Sequence, residues 1–387
     1  MTWIDVQTPA DWKLFHQVPR RVYRQDPNWI EPLHSDVAGI FDPKRNKAME
    51  QGEARLFVVL NDQQEAVGRV AAFIDPIRNR EMGLRIGGIG FFECINEPEL
   101  ANALLDRAEQ YLIERDVQVI DAIINFGERD KFWGLLTHGF APPLYQEHYH
   151  PPYYQGFFAA RNYQPNEQIL TFKGNLGDVP ARRLKAIAQR ARKRYGFTAK
   201  TLAESNIQTF ASHFAAVYNV AFADKPHFKP ISEANMFKLF KQLRPIADPN
   251  MVCIAYLGEQ PIGFAGFIPD INPFLRKAKG RLNWLTLPGF FLRLKTTRIK
   301  PLKGIAFGID PEYHGKGVFA VLTDFTYHQS TMTNYPHYYL AAIRAHNDIM
   351  VRSVKSLGVN IERIHLDMRR IIDPAISFQP NAFIEPE

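Results

Sequence analysis

The sequence predicts an α/β protein with a mixed sheet, built from two tandem copies of one fold. A weak internal repeat at an offset of 195 residues predicts the duplication. The order of strands and helices that follows each copy predicts the mixed α/β class. The composition agrees, because 46% hydrophobic and 22% charged residues over 387 positions are typical of a soluble globular chain of two or three domains.

The repeated unit is a β-hairpin pattern, present at residues 56–75 and again at 251–270. Gly68 aligns with Gly263, and Asp75 aligns with Asp270. Each copy has an apolar run, a polar turn and a second apolar run with a glycine near its start, which is the signature of two antiparallel strands.

The segments after each hairpin follow one order, strand, helix, strand, helix. After the first hairpin the apolar spacing predicts a strand, a helix, a strand and a helical stretch, at 86–94, 99–115, 117–124 and a run ending at Gly139. After the second hairpin it predicts the same types at 304–309, 318–329, 337–343 and 348–357. A basic helix over 181–194 begins the second copy, so we expect domains at 1–178 and 179–387.

The net charge of +7 is concentrated in two segments that contain no acidic residue. Residues 182–194 hold seven basic residues, and residues 271–303 hold nine. Such segments form solvated faces, or they contact phosphates, nucleic acid or anionic lipid. With 2 Cys, a disulfide framework and a Cys-rich zinc site are excluded, and we expect no metal. Since neither a signal peptide nor a membrane span is visible, we expect a cytoplasmic protein.

Residues 310–322 form the strongest candidate for a ligand site. A predicted strand leads into a turn containing Gly315 and Gly317, and an apolar helix follows. Glycines allow close approach of the backbone, and the start of a helix directs N–H groups at an anion, to which Lys316 adds a positive charge. The local pattern fits an ordinary strand-to-helix turn equally well.

This turn resembles the coenzyme A pyrophosphate loop of the GNAT superfamily, the GCN5-related N-acetyltransferases. Downstream, Asn347, Met350 and Gly358 resemble the next motif of that superfamily. The whole chain is similar to a group of bacterial proteins made of two GNAT-like halves. The order and spacing of five stretches carry this resemblance, at 90–112, 124–126, 150–154, 263–272 and 311–318.

The chain departs from the GNAT pattern at three second-half positions. His314 stands where the superfamily has Arg or Gln, and Phe319 stands where it has Gly or Ala. Val354 replaces a Tyr that protonates the leaving thiolate in many members. In the first half the equivalent turn, 96–99, has no glycine and two carboxylates that would repel a pyrophosphate. We therefore expect a degenerate first half that does not bind coenzyme A.

The resemblance implies transfer of an acyl group from a thioester to an amine. The donor would be acetyl-CoA or another acyl-CoA, held in the second half by Ile309, His314, Gly315, Lys316, Gly317, Val318, Phe319 and Asn347. The acceptor would be a small-molecule amine or a peptide. Residues expected to contact it are Asn125, Phe126, Tyr153, His227 and Phe228. The candidates for the base that takes the amine proton are His346 and Asp224.

Two features outside this set allow more than one interpretation. The aromatic cluster at 145–154 suits a ligand pocket or an interface, but for most of its rings the pattern favours a Pro-rich loop pinned by side chains. The second-half segment 271–303, which contains Trp284, Phe290 and Phe291, fits a lid, a basic flap or a membrane-surface element. Because Pro288-Gly289 interrupts a long helix, a lid or flap is favoured.

Two other functions remain open. The departures at His314, Phe319 and Val354 fit a non-catalytic protein that binds a ligand or partner. Other enzymes with two GNAT halves use aminoacyl-tRNA or fatty acyl donors, and the basic helix would then bind RNA. No dedicated RNA-binding module is recognisable, so we expect no specific nucleic acid.

Overall fold

The computed structural model describes residues 1–223, 230–297, 300–333 and 335–385. The first half contains seven strands and six helices in the order β1 (Thr2–Asp5), α1 (Pro9–Val22), α2 (His34–Ile40), α3 (Lys47–Gln51), β2 (Glu53–Leu60), β3 (Ala66–Ile74), α4 (Pro76–Met82), β4 (Ile86–Cys94), α5 (Pro98–Ile113), β5 (Val119–Ala122), β6 (Leu135–His138), α6 (Tyr154–Ala160) and β7 (Gln164–Asn175).

The described part of the second half repeats this plan. Its elements are α7 (Ala181–Tyr195), β8 (Phe197–Thr201), α8 (Ile207–Ala221), α9 (Glu233–Leu243), β9 (Val252–Leu257), β10 (Gln260–Pro269), α10 (Asn272–Leu275), α11 (Leu287–Thr296), β11 (Leu302–Ile309), α12 (Val318–Thr333), β12 (His337–Arg344), α13 (Asp348–Lys355) and β13 (Asn360–Ile371).

The predicted mixed α/β class and both hairpins are confirmed. Strands β2 and β3 pair antiparallel, with Val59 opposite Gly68, and β9 and β10 pair in the same way, with Ala255 opposite Gly263. In each half the next strand joins a parallel partner, β4 with β5 and β11 with β12. The duplication therefore extends from the sequence pattern to the pairing of the strands.

The prediction of a helical stretch that ends at Gly139 is wrong, because strand β6 lies there. Phe132, Gly134 and Gly139 have φ values of +47°, +85° and +73°, which a right-handed helix does not tolerate. The strand pairs with β13, where Leu135 stands opposite Leu366. Local sequence could not reveal this pairing, because its partner is more than 200 residues away.

All the described strands belong to one sheet of 13, in which the last strand of each half lies beside the other half. The order is β1-β2-β3-β4-β5-β13-β7-β12-β11-β10-β9-β8, with β6 added on β13. Strand β13 joins β5 of the first half, and β7 joins β12 of the second. These two strands also pair with each other, from Asn360 opposite Lys173 to Arg369 opposite Gln164.

Buried ion pairs accompany this exchange of strands. The Arg369 guanidinium on β13 donates to both carboxylate oxygens of Asp121 on β5, at 2.7 and 2.8 Å. Arg363 on β13 lies 2.8 Å from the carboxylate of Glu147. Burial alone would raise the pKa of Glu147, but the charge of Arg363 and further hydrogen bonds lower it to about 2. The pairs therefore add charge-assisted contacts between the two halves.

Helices cover both faces of the sheet in each half. In the first half α5 packs on one face and α1 on the other. In the second half α7 and α12 pack on one face, and α8 and α9 on the other. Among the described residues, no helix has the length and apolar character needed to cross a membrane.

The segment 271–303 packs against the first half. Phe290 and Leu294 of α11 lie in one apolar cluster with Ile30 and Leu33. In the first half the matching connection between β3 and β4 holds only the short helix α4. The longer segment is thus a folded addition that bridges the two halves.

The strand exchange makes a prediction about folding. Expressed alone, fragments 1–178 and 179–387 should be insoluble or unfolded, since each would lack a strand that it receives from the other. Expressed together, they should co-purify as a folded complex. Circular dichroism and size-exclusion chromatography report the outcome, and a cooperatively folded, monomeric fragment 1–178 would contradict the prediction.

Candidate functional site

Strands β11 and β12 diverge and leave a wedge between them. Strand β11 pairs with β10 along its length, from Leu302 to Ile309. It pairs with β12 only from Leu302 to Gly304. Within the described residues, no strand pairs with the edge of β11 that faces β12 beyond Gly304. Ile305, at the start of this edge, is 43% exposed, although it belongs to an inner strand.

The backbone of β11 presents polar groups to the wedge. The Asp310 N–H donates to the carbonyl of Ile262 on the β10 side. Because successive residues of a strand point their backbone groups to opposite edges, Phe307 and Ile309 direct theirs toward β12. His314 Nε2 lies 3.1 Å from the carbonyl oxygen of Ile309. The edge therefore offers a row of donors and acceptors to an extended polar ligand.

The turn after β11 is open to solvent at one glycine and closed by a helix at the other. Gly315 has φ +73°, and a side chain there would meet no atom within 4 Å. Gly317 has φ +90°, and its Cβ would lie 2.9 Å from that of Ala191 in α7. The first N–H groups of α12, from Val318 onward, have no acceptor within the helix. The geometry of the turn thus suits an anion beside Gly315.

The basic segment 182–194 forms helix α7 and lies beside this turn. Ile187 and Ala191 approach Gly317, and helical spacing places Arg190 and Arg194 near that side. Both arginines are exposed. Arg192 instead pairs with Asp324 of α12 at 2.8 Å. The sequence left solvent, phosphates, nucleic acid and anionic lipid open as partners of this helix, and the packing of α7 on α12 brings its charges to the glycine turn.

Four of the second-half positions considered in the sequence make contacts within the protein. The Phe319 ring packs edge-to-face on Phe307, with centroids 5.3 Å apart. Asn347 caps α13 by accepting from the N–H of Met350 at 3.2 Å. Val354 is buried in the second-half core. Lys316 lies over the ring of Tyr313, with its Nζ 4.9 Å from the centroid.

The candidate base His346 belongs to an ionic cluster. Its Nδ1 lies 3.4 Å from the carboxylate of Glu167, which is buried on β7. The same carboxylate contacts Arg129 of the first half and Arg344 of the second. His346 is thus held at the junction of the halves. Asp224, His227 and Phe228 lie outside the described residues.

The predicted acceptor residues of the first half lie apart from the glycine turn. Phe126 stacks on Phe73 in the first-half core, with centroids 4.8 Å apart. The Tyr153 hydroxyl donates to the carbonyl of Cys94 at 2.9 Å. Asn125 is buried, and its side-chain nitrogen donates to the carbonyl of Glu128 at 3.0 Å. Asn125 therefore supports the loop 127–131, which follows it.

Sequence analysis missed the loop 127–131. The Asp130 side chain remains accessible to solvent, yet protein surrounds it on several sides, and this crowding raises its pKa. Partial burial raises the pKa of the Tyr218 phenol on α8, and the negative charges of Asp130 and Glu128 raise it further. Lys303 on β11 also acts electrostatically on Asp130. The charge of an accessible carboxylate of the first half is thus electrostatically linked to groups on two elements of the second.

At the matching place in the first half, side chains of that half engage the end of β4. Strand β4 pairs with β5 only from Ile86 to Ile89, and all nine residues of β4 are buried. At its end, the Cys94 N–H donates to the Tyr154 hydroxyl at 2.7 Å, and the Cys94 carbonyl accepts from Tyr153. The tyrosines of the aromatic cluster therefore pin their loop onto β4.

Comparison with known proteins shows which fold this chain shares. No protein-family model matches the chain. In structure it is similar to a tandem GNAT protein from the clavulanic acid biosynthesis pathway, with a TM-score of 0.56 and 11% identity over 97% of this chain and 99% of that one. It is also similar to a GCN5-related glucosamine N-acetyltransferase region in a fungal multi-domain GH3 beta-N-acetylglucosaminidase, with a TM-score of 0.55 and 13% identity. That match covers 95% of this chain, which spans only 38% of the fungal one.

The chain therefore has the tandem GNAT fold that its sequence predicted. Among curated proteins it is 26% identical over 365 residues to a bacterial ceramide synthase from Caulobacter vibrioides. This match covers 92% of the chain and 93% of the relative. The solved structures thus show a GNAT-like fold, and the curated relative is named as a bacterial ceramide synthase.

Three buried histidines, two in the first half and one on β13, should make stability depend on pH. Burial lowers the pKa of His148 to about 3, and it lowers the pKa of His150 and His365 as well. His150 Nδ1 accepts from the Leu136 N–H at 3.1 Å, which requires a neutral ring. The unfolded chain binds these protons near pH 6.5, so stability should be complete above that pH and fall toward pH 3.

The variant His148→Phe tests this dependence. Its stability should fall less steeply between pH 6.5 and 3, by about 1.4 kcal/mol per pH unit, because one titrating group is lost. Urea unfolding at several pH values measures the slope. The exposed His328→Gln is the matched control and should keep the wild-type slope. Equal slopes for wild type and His148→Phe would contradict the assignment.

Proposed function

We propose that the chain is an acyl-CoA-dependent N-acyltransferase that binds its donor in the second-half wedge. One observation carries the proposal: the unpaired edge of β11 runs into a glycine turn flanked by exposed cations. Coenzyme A has the complementary form, since its pantetheine arm carries amides that hydrogen-bond a strand edge and its other end carries phosphates. The proposed contacts are Ile309, the residues from His314 to Phe319, and Asn347.

The proposed donor orientation follows from the charges. The phosphates would meet the N–H groups at the start of α12, together with Lys316, Arg190 and Arg194. The thioester would then lie nearer the middle of β11. There the N–H of Phe307, which faces the wedge, is in place to donate to the oxygen that becomes negative during acyl transfer.

In the proposed reaction the amine nitrogen attacks the thioester carbonyl, the C–N bond forms and the C–S bond breaks. The amine proton passes to a base, and the sulfur leaves and takes up a proton as the thiol. We propose Asp130 as the base, because it is an accessible carboxylate whose raised pKa suits proton transfer. Its charge acts on the Tyr218 phenol, and the charge of Lys303 acts on it, so it is linked electrostatically to the second half. Val354 supplies no proton to the thiolate, so we assign that proton to solvent.

For the substrates, we propose a fatty acyl-CoA donor and a long-chain amino alcohol as acceptor. A relative named as a ceramide synthase supports this choice, since a ceramide is a fatty amide of such an amino alcohol. Acetyl-CoA, which the sequence also suggests, is the first competitor. A panel of acetyl-, octanoyl- and palmitoyl-CoA, each with a sphingoid base, a short amine and a peptide, separates these possibilities.

Two readouts test the function. Thiol release and mass spectrometry of the amide should show turnover, greatest with palmitoyl-CoA and the sphingoid base. Turnover with acetyl-CoA and a short amine alone would exclude the lipid substrates but keep the transferase. Binding of acyl-CoA without turnover of any acceptor would favour the non-catalytic binding protein.

The glycine turn provides the binding test. Gly315→Glu should weaken coenzyme A binding at least tenfold, because a carboxylate would stand where the phosphates are proposed to bind. Gly83→Glu is the matched control, since Gly83 also has positive φ and open space at its Cβ. Both variants carry the same backbone strain, roughly 1–2 kcal/mol. Isothermal calorimetry measures the affinities, and equal affinities in the two variants would place the donor elsewhere.

The loop 127–131 provides the catalytic test. Asp130→Asn should lower kcat by about 10² to 10⁴ and leave coenzyme A affinity unchanged, because only the proton acceptor is removed. The acid limb of the pH–rate profile should also disappear. Glu128→Gln, on the same loop, is the control and should stay near wild type. A kcat within threefold of wild type in Asp130→Asn would assign the base to another group.

A further inference from the structure

The segment 271–303 exposes a group of large apolar side chains. Trp284 is 81% exposed, Leu285 65% and Leu292 64%. Leu285, Pro288 and Leu292 are spaced by three and four residues, so they follow one side of α11 and of the turn before it. Single exposed apolar residues are common on proteins, but a contiguous group marks an interaction surface. We call these residues, with Leu287, the apolar ridge.

The other side of the segment is anchored, so the ridge has no role in the core. Phe290 and Leu294 pack with Ile30 and Leu33 of the first half. The Arg276 guanidinium donates to the carbonyl of Pro27 at 2.6 Å. The ridge therefore faces outward from a fixed support, and its exposure is a property of the folded chain.

The proline and glycine of this segment start a helix and do not break one. The sequence favours a lid or flap because Pro288-Gly289 interrupts any long helix, and the helices in the described part of 271–303 are indeed short. Pro288 occupies the first turn of α11, where proline lacks no needed hydrogen bond. Helix length does not decide whether a segment lies on a membrane surface, so the ten residues of α11 are compatible with such a role.

The charge around the ridge identifies the kind of partner. Residues 271–303 contain nine basic and no acidic residues. Exposed cations occur on both sides of the ridge, at Lys277, Lys279, Arg281 and Lys295. A second copy of this chain would bring the same positive face against it and be repelled. An anionic lipid surface would attract it and accept the apolar side chains.

We propose that the apolar ridge docks the protein on the surface of an anionic bilayer. Trp284, Leu285 and Leu292 would enter the headgroup region, with the cations over the lipid phosphates. In the chain this segment precedes β11, and the glycine turn follows β11. The docking itself does not rest on the proposed enzymatic function.

Flotation with lipid vesicles tests the docking without acyl-CoA or amine. The full-length protein should bind vesicles of phosphatidylcholine with 30% phosphatidylglycerol at low salt, and much less to phosphatidylcholine alone. Raising the salt to 0.5 M should weaken binding several-fold, since the Debye length falls. The double variant Trp284→Gln with Leu292→Gln should lose at least tenfold in affinity.

Matched variants separate the ridge from general surface hydrophobicity. Met332→Gln with Leu239→Gln removes two other exposed apolar side chains and should leave vesicle binding unchanged. Tryptophan fluorescence gives an independent readout. Vesicles should shift the wild-type emission to the blue, and Trp284→Phe should bind but lose the shift.

The proposal is overturned if the wild type fails to float with anionic vesicles, or if the ridge variant floats as well as wild type. It is also overturned if sedimentation velocity shows a dimer that the ridge variant abolishes, because the ridge would then be a subunit interface. Vesicle binding that persists in a protein without transferase activity would uphold the docking and reject only the proposed function.

Discussion

The exchange of strands β7 and β13 is the constraint on which the rest of this structure depends. Strands β7 and β13 pair with each other, and each also pairs with a strand of the other half. The two repeats therefore form one continuous sheet. The buried pair between Arg369 and Asp121 adds a charged contact across the same boundary. Because neither half completes its sheet alone, residues of both halves are held in a fixed relation at their junction.

The two wedges show how one fold diverges after duplication. In both halves two parallel strands pair over a few residues and then separate. The pairs are β4 with β5 and β11 with β12. In the first half, tyrosine hydroxyls of the 145–154 loop form hydrogen bonds with the backbone N–H and carbonyl of Cys94. In the second half no described strand pairs with the edge of β11 that faces β12 beyond Gly304, although the Ile309 carbonyl contacts His314. The first half contributes the loop 127–131, which contains the proposed base.

Part of the candidate site was predictable because its signal is local. Gly315 and Gly317 could be identified from the spacing of glycines between a strand and a helix, and both have the positive φ that such a turn requires. Asp130 could not, since a charged turn looks like any solvated loop until α8 and β11 are packed near it. The same holds for Arg190 and Arg194, whose position depends on α7 packing against α12.

By itself the sequence determined the mixed α/β class, the duplication, both hairpins and the helices α5, α7, α12 and α13, because these follow from periodicity and turn residues within short windows. Tertiary structure alone decided that β6 is a strand, because β6 pairs with β13 from the far end of the chain. It also decided that Pro288 begins a helix that buries Phe290 and Leu294 and leaves Leu292 exposed. These outcomes depend on contacts between residues far apart in the chain, and such contacts leave no local pattern.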